Sequence, residues 1–291
     1  MVIVITGPTC VGKTKLSIEI AKKLNGEVIN ADSTQIYKNL DIATAKVTDD
    51  EREGIVHHLI DIKDINENYS VYDYQRDCRL KINDITERGK VPILVGGTGL
   101  YIKAALYDYE FDEYSKKNYD DLSLDELYNK VVNLDENNSI HKNNRKRLES
   151  ALSYMENTKK IFSAKKKNNN LIYDTKFIGL TTDRDNLYNR INKRVDDMIN
   201  LGLLEEAHRI YQTNIRTKAV MTPIGYKELF SYFDNKDTLE NCINKIKQNS
   251  RKYAKRQYTW FNHQLDIKWF DVDFNNFENT INDVLNYIEN E

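Results

Sequence analysis

Residues Gly7 to Thr14 read Gly-Pro-Thr-Cys-Val-Gly-Lys-Thr, a full match to the phosphate-loop pattern G-x-x-x-x-G-K-[ST]. The pattern constrains the fold because such a loop works only between a strand and a helix. Both flanks are present. Val2-Ile3-Val4-Ile5 precedes it as a short apolar run, and Leu16, Ile20, Ala21 and Leu24 follow on one helical face. Gly7 and Gly12 let the chain curl so that successive N–H groups point inward. A helix starting at about Lys13 adds the positive end of its dipole. Gly7, Pro8, Thr9, Cys10, Val11, Gly12, Lys13 and Thr14 are thus expected to cradle a di- or triphosphate, with Lys13 on the phosphates and the Thr14 hydroxyl on a Mg²⁺. A chance glycine turn would not have both flanks. The loop does not say which phosphate compound binds or what happens to it.

The next hundred residues alternate apolar runs with helical patterns. Asn25-Gly26 stops the first helix, and Glu27 to Asp32 follows as an apolar run ending in an acid. Ser70 is an N-cap with Asp73 in the first turn, and Tyr74, Cys78, Ile82 and Ile85 keep helical spacing up to Gly89. Val91 to Val95 is strand-like and closes on Gly96-Gly97-Thr98-Gly99. This alternation predicts an α/β fold, a P-loop NTPase-like parallel sheet flanked by helices. Ligands of such sheets sit beyond the carboxyl ends of the strands, where Gly7, Asp32 and Gly96 all fall. After Tyr107 the pattern changes. Residues 108–137 read as a short acidic insertion with one helix near Ser123 to Leu134, so that 1–107 and about 138–291 form the catalytic core. The C-terminal part is helical, with a long helix over about 237–263, then a strand over 267–272 and a closing helix.

The formal net charge is −2 over 291 residues, so the global balance implies no polyanion partner. Locally the charges separate. Residues 108–137 hold ten acids against three lysines, and residues 141–170 hold nine Lys/Arg against two acids. Such asymmetry suits a nucleic-acid surface, although a solvated face gives the same pattern. Cys10, Cys78 and Cys242 share no metal spacing, which suits a reducing cytosol. No apolar run is long enough to span a bilayer, and the first residues already read as a core strand. We therefore expect no signal peptide and no membrane partner.

Asp32-Ser33, at the end of the second strand, faces the loop. A carboxylate there can ligate Mg²⁺ or act as a general base toward a nucleophile approaching the phosphate ester; the competing reading is a helix N-cap. The turn at Gly96 has no acid for a nucleotide hydrolase's metal, which counts against ATP hydrolysis. Asp183-Arg184 starts another helix with Leu187, Ile191, Val195 and Met198 inward and Gly202 as the stop. Arg190 and Arg194 lie one turn apart at the edge of that stripe. Their spacing allows a fork onto a diphosphate and equally a pair of solvent-facing arginines. On the long helix, Lys245, Lys247, Arg251, Lys252, Lys255 and Arg256 have no acid among them, and Tyr253, Tyr258, Trp260 and Phe261 are interleaved. That composition suits a phosphate backbone. His57-His58 has no third ligand nearby and reads as packing.

Taken in order, the phosphate loop, Asp32-Ser33 with Gln35 and Tyr37, Gly96-Gly97-Thr98-Gly99-Leu100-Tyr101, Asp183-Arg184 with Arg190 and Arg194, Ile224-Gly225-Tyr226-Lys227-Glu228, and Lys255-Arg256-Gln257 with Trp260 resemble the tRNA dimethylallyltransferase (isopentenyltransferase) family over nearly the whole chain. The resemblance implies transfer of a dimethylallyl group from dimethylallyl diphosphate, with Mg²⁺, to the exocyclic amine of the adenosine 3′ of the anticodon. By that resemblance Asp32 is the general base. Thr14 and Lys13 hold the leaving diphosphate, and Arg184, Arg190 or Arg194 meets it from the far side. The tRNA is expected to touch Asp32, Ser33, Thr34, Gln35 and Thr98, and its phosphates Lys146, Arg147, Arg251, Lys255 and Arg256. Two departures stand out: the insertion reads as short and acidic, and the family's usual arginine before Ala-Leu is Ser150. By the resemblance a bacterial-type member is expected, without the zinc finger of eukaryotic relatives, and a monomer is expected. The rival readings are a P-loop small-molecule kinase, which needs a base pocket and an arginine-rich lid, and a non-catalytic RNA-binding protein.

Overall fold

The computed structural model describes residues 1–111, 117–164 and 170–290. The chain divides into two compact units, one of residues 1–107 with 171–291 and one of Asp108–Asn170.

The larger unit is built on β1 (Val2–Thr6), α1 (Lys13–Leu24), β2 (Gly26–Asn30), α2 (Asp49–Arg52), β3 (His57–His58), α3 (Val71–Glu87), β4 (Val91–Val95) and α4 (Gly99–Leu106). Its six-stranded sheet has the order β3-β2-β4-β1-β5-β6, and every pairing is parallel. Here β5 is Thr175–Thr181 and β6 is Lys268–Asp271. β1 lies at the centre with all five residues buried, as an apolar run covered on both faces must. Side chains alternate across it. Val2 and Val4 join a core with α3 and α4, whereas Ile3 and Ile5 join one with α1 and the last helix. The register Ile5 to Val95, Asn30 to Val95 and Thr6 to Gly179 aligns the carboxyl ends, so the segments after β1, β2 and β4 leave from one edge of the sheet.

The expected local signals hold. Asn25 ends α1 in the left-handed conformation, and Ser70 caps α3 in a capping box with Asp73. His58 Nε2 donates to the buried Glu27 carboxylate, which Arg88 and Lys90 also bind, and His57 Nδ1 bonds to the Ile55 carbonyl, so the histidine pair is structural. Those cations hold the Glu27 carboxyl far below the usual range.

The smaller unit contains α5 (Leu124–Leu134) and α6 (Arg145–Thr158). Leu127 and Val131 pack on Leu148, Ala151, Leu152 and Met155. The acidic insertion expected over 108–137 therefore runs on to Asn170. The apolar stripe of α6 is satisfied by α5, and the Asp108 carboxylate accepts from the backbone and side chain of Asn170 where the unit closes. Ten acids and two, against three cations and nine, make twelve of each. Several pair within the unit, as Lys142 with Asp125, Lys117 with Glu156 and Arg145 with Glu149. The lysine run Lys165-Lys166-Lys167 lies outside the described residues.

The rest of the larger unit is α7 (Arg184–Asn200), α8 (Leu203–Gln212), α9 (Lys218–Met221), α10 (Tyr226–Phe233), the long α11 (Leu239–Gln264) and α12 (Phe277–Asn290). Asp183 caps α7 by accepting from the Asn186 N–H, and Gly202, at φ 99°, ends that helix and starts α8.

Candidate active site at the phosphate loop

The loop after β1 has the curl its glycines allow. Gly7, Cys10 and Gly12 have φ of 133°, 68° and 93°, and Gly12 is the left-handed residue from which α1 starts. A Cβ on Gly12 would lie 2.8 Å from the Phe277 ring. Lys13 folds back over the loop, its Nζ donating to the carbonyls of Pro8 (2.6 Å) and Gly7 (3.1 Å). Burial, helped by the charge of Arg194, pulls its pKa down to about 8, and only Asp32 and Cys10 oppose the shift. A buried lysine short of anions is a site that gains from a bound phosphate. The Thr14 side chain is exposed at the mouth of the loop.

Two arginines of α7 reach the same loop. Arg190 donates from Nε to the Cys10 carbonyl at 3.0 Å and lies over the Phe274 ring, and Arg194 Nη1 is 3.8 Å from the Cys10 sulfur. Of the two readings their spacing allowed, the structure has the one in which they face the loop. Arg184 instead stacks on Tyr188, so it is not brought to the loop.

Asp32 stands beyond the carboxyl end of β2. Its backbone is fixed by Asn30, whose side chain accepts from the Asp32 N–H and donates to its carbonyl. Its Oδ1 accepts from the backbone and hydroxyl of Thr34, at 2.9 and 2.7 Å. Half of the carboxylate thus caps the turn, while Oδ2 takes no hydrogen bond among the described residues. Thr98 ties this turn to the one after β4. Its hydroxyl accepts from the Ser33 N–H at 3.0 Å and reaches the Ser33 hydroxyl at 3.3 Å. Asp32, Ser33, Thr34 and Thr98 form one cluster. Gln35 leaves it, donating its amide to the carbonyls of Thr44 and Ala45, so it props the following loop.

α11 closes the cluster. Burial together with the Asp32 charge pushes the Tyr253 hydroxyl well above the usual tyrosine range. Gln257 bridges Thr9 and Gly97. Neither residue carries a role from sequence pattern alone. Tyr253 reads as one of several interleaved aromatics, and Gln257 stands out only beside Lys255-Arg256 in the family motif. Lys255 and Arg256 are exposed. Arg251 is half-buried and donates to Asn192 of α7. In the smaller unit Lys146 and Arg147 are exposed on the first turn of α6.

The Thr14 hydroxyl and the Asp32 carboxylate are the oxygen donors the sequence pattern sets aside for a metal at this edge, and no group of three His, Cys, Asp or Glu suited to a metal occurs among the described residues. That donor set fits Mg²⁺, which keeps waters and completes its shell with phosphate oxygens, better than a metal needing a full protein cage. After β4 the chain has Gly96, whose absent Cβ lets the backbone press on Ala31.

A protein-family model described as IPP transferase matches residues 35–264. A tRNA dimethylallyltransferase of Anoxybacillus flavithermus is 48% identical over 298 residues, spanning 99% of this chain and 96% of that protein. The chain belongs to the tRNA dimethylallyltransferase family. Among solved structures, the tRNA isopentenylpyrophosphate transferase of Bacillus halodurans aligns with TM-score 0.78 and 41% identity, over 99% of this chain and 95% of that one. A eukaryotic dimethylallyltransferase described as acting on tRNA aligns with TM-score 0.86 and 34% identity, over 100% of this chain and 80% of that one. The family thus shares the phosphate-loop sheet, and the kinase reading of the loop gives way to prenyl transfer.

Proposed function

We propose that this protein transfers a dimethylallyl group from dimethylallyl diphosphate to the exocyclic amine of the adenosine 3′ of the anticodon in tRNA, releasing diphosphate. The observation that carries the reading is the pairing of a cationic phosphate cradle with a half-free carboxylate on one edge of the sheet. Lys13, Arg190 and Arg194 gather at the loop, and the Asp32 charge reaches Lys13. As the amine nitrogen bonds to the allylic carbon, the bond from that carbon to the diphosphate oxygen breaks. Asp32 Oδ2 takes the proton the amine loses, while Lys13, Arg190 and Arg194 take up the charge growing on the leaving oxygens. Thr14 and Asp32 would hold Mg²⁺, which when bound neutralises further diphosphate charge. The Asp32–Thr34 turn and Thr98 would contact the adenosine, which has to leave its stack to reach the allylic carbon.

Lys146 and Arg147 stand with Arg145 at the positive end of the α6 dipole, with no acid in that first turn. Arg145 is absorbed by the carbonyls of Leu122 and Tyr119 and by Glu149, whereas Lys146 and Arg147 point to solvent. An unfavourable placement of that kind is relieved by a phosphate, which supports their reading as tRNA contacts together with Arg251, Lys255 and Arg256. No helix among the described residues is long and apolar enough to cross a membrane, and the cytoplasm is the compartment we propose. The test is incubation with labelled dimethylallyl diphosphate, unmodified tRNA and Mg²⁺, followed by nucleoside analysis. Label in one modified adenosine is the expected result. Unlabelled tRNA, with ADP formed from ATP and a small acceptor, would return the chain to the kinase reading.

A further inference from the structure

Gln257 lies two turns before the end of α11, 5% exposed, and joins two loops that leave different strands. Its Oε1 accepts from the Thr9 N–H of the phosphate loop at 3.1 Å. Its Nε2 donates to the Gly97 carbonyl, in the turn after β4, also at 3.1 Å. The orientation of the amide is fixed by its partners: an N–H needs the oxygen and a carbonyl needs the NH₂. The glycine at 97 is part of the same arrangement, because a Cβ there would overlap Nε2. From Gly97 the connection continues. Thr98, the residue after Gly97, holds the Ser33 N–H, and Tyr253 lies one turn before Gln257 on the same helix. One end of the chain of bonds is therefore the loop that holds the leaving group in the prenyl-transfer reading. The other end is the turn that carries Asp32.

We propose that Gln257 is a positioning residue, whose amide sets the separation between the diphosphate loop and the Asp32 turn for in-line transfer. The inference rests on the prenyl-transfer reading. Physically it follows from what an amide alone supplies. At a buried site between one donor and one acceptor, a neutral side chain with both functions on one planar group satisfies both without a charge. Losing it leaves an N–H and a C=O unpaired and frees two loops to drift. A displacement of about 1 Å between reacting groups costs on the order of 100-fold in rate. A role confined to stability would lower the melting temperature and leave turnover of the folded enzyme alone.

The experiment compares wild type, Gln257→Met and Gln257→Glu in full-length protein, with thermal melts, kcat and KM for both substrates. Wild type has first to move labelled dimethylallyl onto tRNA; without that, the function reading and this inference fall together. With it, we expect Gln257→Met to melt cooperatively and to lose 10- to 100-fold in kcat, with KM for both substrates within threefold. A kcat within threefold of wild type would overturn the positioning role while leaving the function intact. Gln257→Glu keeps the test open should the methionine variant not fold. Its ionised carboxylate accepts from Thr9 but repels the Gly97 carbonyl, whereas the protonated acid both accepts and donates. Tyr253, Lys255, Arg256 and Tyr258 on the same helix, Asp32 on the adjoining turn, and Cys10 and Lys13 of the loop are the charged and titratable groups nearest in sequence to Gln257 and its partners. They are shared with wild type and cancel in a rate ratio. The ratio of variant to wild-type kcat is expected to rise at least tenfold as pH falls from 8 to 6, and a flat ratio near unity would overturn the proposal.

Discussion

The Lys13 ammonium makes diphosphate binding depend on pH in a way that can be worked out before it is measured. Burial and Arg194 lower its pKa from 10.5 to about 8 in the free protein. A bound diphosphate supplies the anion that the free site lacks and returns the pKa toward its ordinary value. Below pH 8 the lysine is charged with or without ligand, so affinity is flat. Above pH 8 the free site is neutral and binding takes up a proton. Affinity then falls by up to tenfold per pH unit, about 100-fold between pH 7 and pH 10, or roughly 2.7 kcal/mol. Folding responds with the opposite trend. Between the folded pKa of about 8 and the unfolded 10.5 the unfolded chain holds more protons, so this group adds stability as pH rises, in all about 3 kcal/mol across the window. The assay is calorimetric titration with dimethylallyl diphosphate, fully ionised by pH 8, in two buffers of different ionisation enthalpy, in a Cys10→Ser background that removes the loop thiol. We expect uptake approaching one proton at pH 9 and none at pH 7. Lys13→Met should bind more weakly at pH 7 and lose the pH dependence. A wild-type affinity flat from pH 7 to pH 10, or an equal slope in Lys13→Met, would refute the reasoning.

Asp32→Ala should lower single-turnover transfer by about 10²–10⁴-fold and leave dimethylallyl diphosphate affinity measured without Mg²⁺ within severalfold, since the loop cations lie on other residues; near-normal turnover would remove Asp32 from the chemistry. Gly99→Ala should place a methyl inside the Trp260 ring of α11 and destabilise the fold by about 1–3 kcal/mol, on the order of 5 °C in melting temperature; an unchanged melt would mean that α11 yields at this point. Neutralising Arg251, Lys255 and Arg256 together should reduce the slope of log tRNA affinity against log salt by roughly 0.7–0.9 for every phosphate no longer neutralised, without changing which adenosine is modified. Because Arg251 already donates to Asn192, most of that reduction should come from Lys255 and Arg256, and an intact slope would place this face of α11 away from tRNA.

The features legible in the sequence were those with short-range causes. The phosphate loop, the Asn25 and Ser70 caps, the strand-helix alternation and the convergence of Gly7, Asp32 and Gly96 all follow from local patterns and from the geometry of parallel sheets. The partners of those residues come from far along the chain and left no local trace. Arg190 meets Cys10 across 180 positions, and Gln257 meets Thr9 across 248. No periodicity of α7 or α11 says which loop they reach. Gln35 has a partner of the same hidden kind. It stands in the right segment for substrate contact, but its amide serves the carbonyls of Thr44 and Ala45, a use visible only once that loop has folded back.

The boundary of the smaller unit was missed for a different reason. Charge separates sharply near residue 140, and a change in composition reads as a change of domain. Here the two blocks belong to one body. Oppositely charged segments adjacent in sequence attract on folding, and the pair Lys142–Asp125 joins the two blocks in that sense, while Lys117–Glu156 joins the minority charge of each. Each exposed pair contributes little stability, so the apolar contacts of Leu127 and Val131 with α6 decide the association. Lys146 and Arg147 take no part in this pairing. They stay exposed in a unit whose other cations are largely matched in number by acids, and at a helix end where the dipole disfavours them. A cation kept where the fold gains nothing from it is the kind of residue whose use lies in a partner, and a phosphate backbone is the partner we propose for this pair.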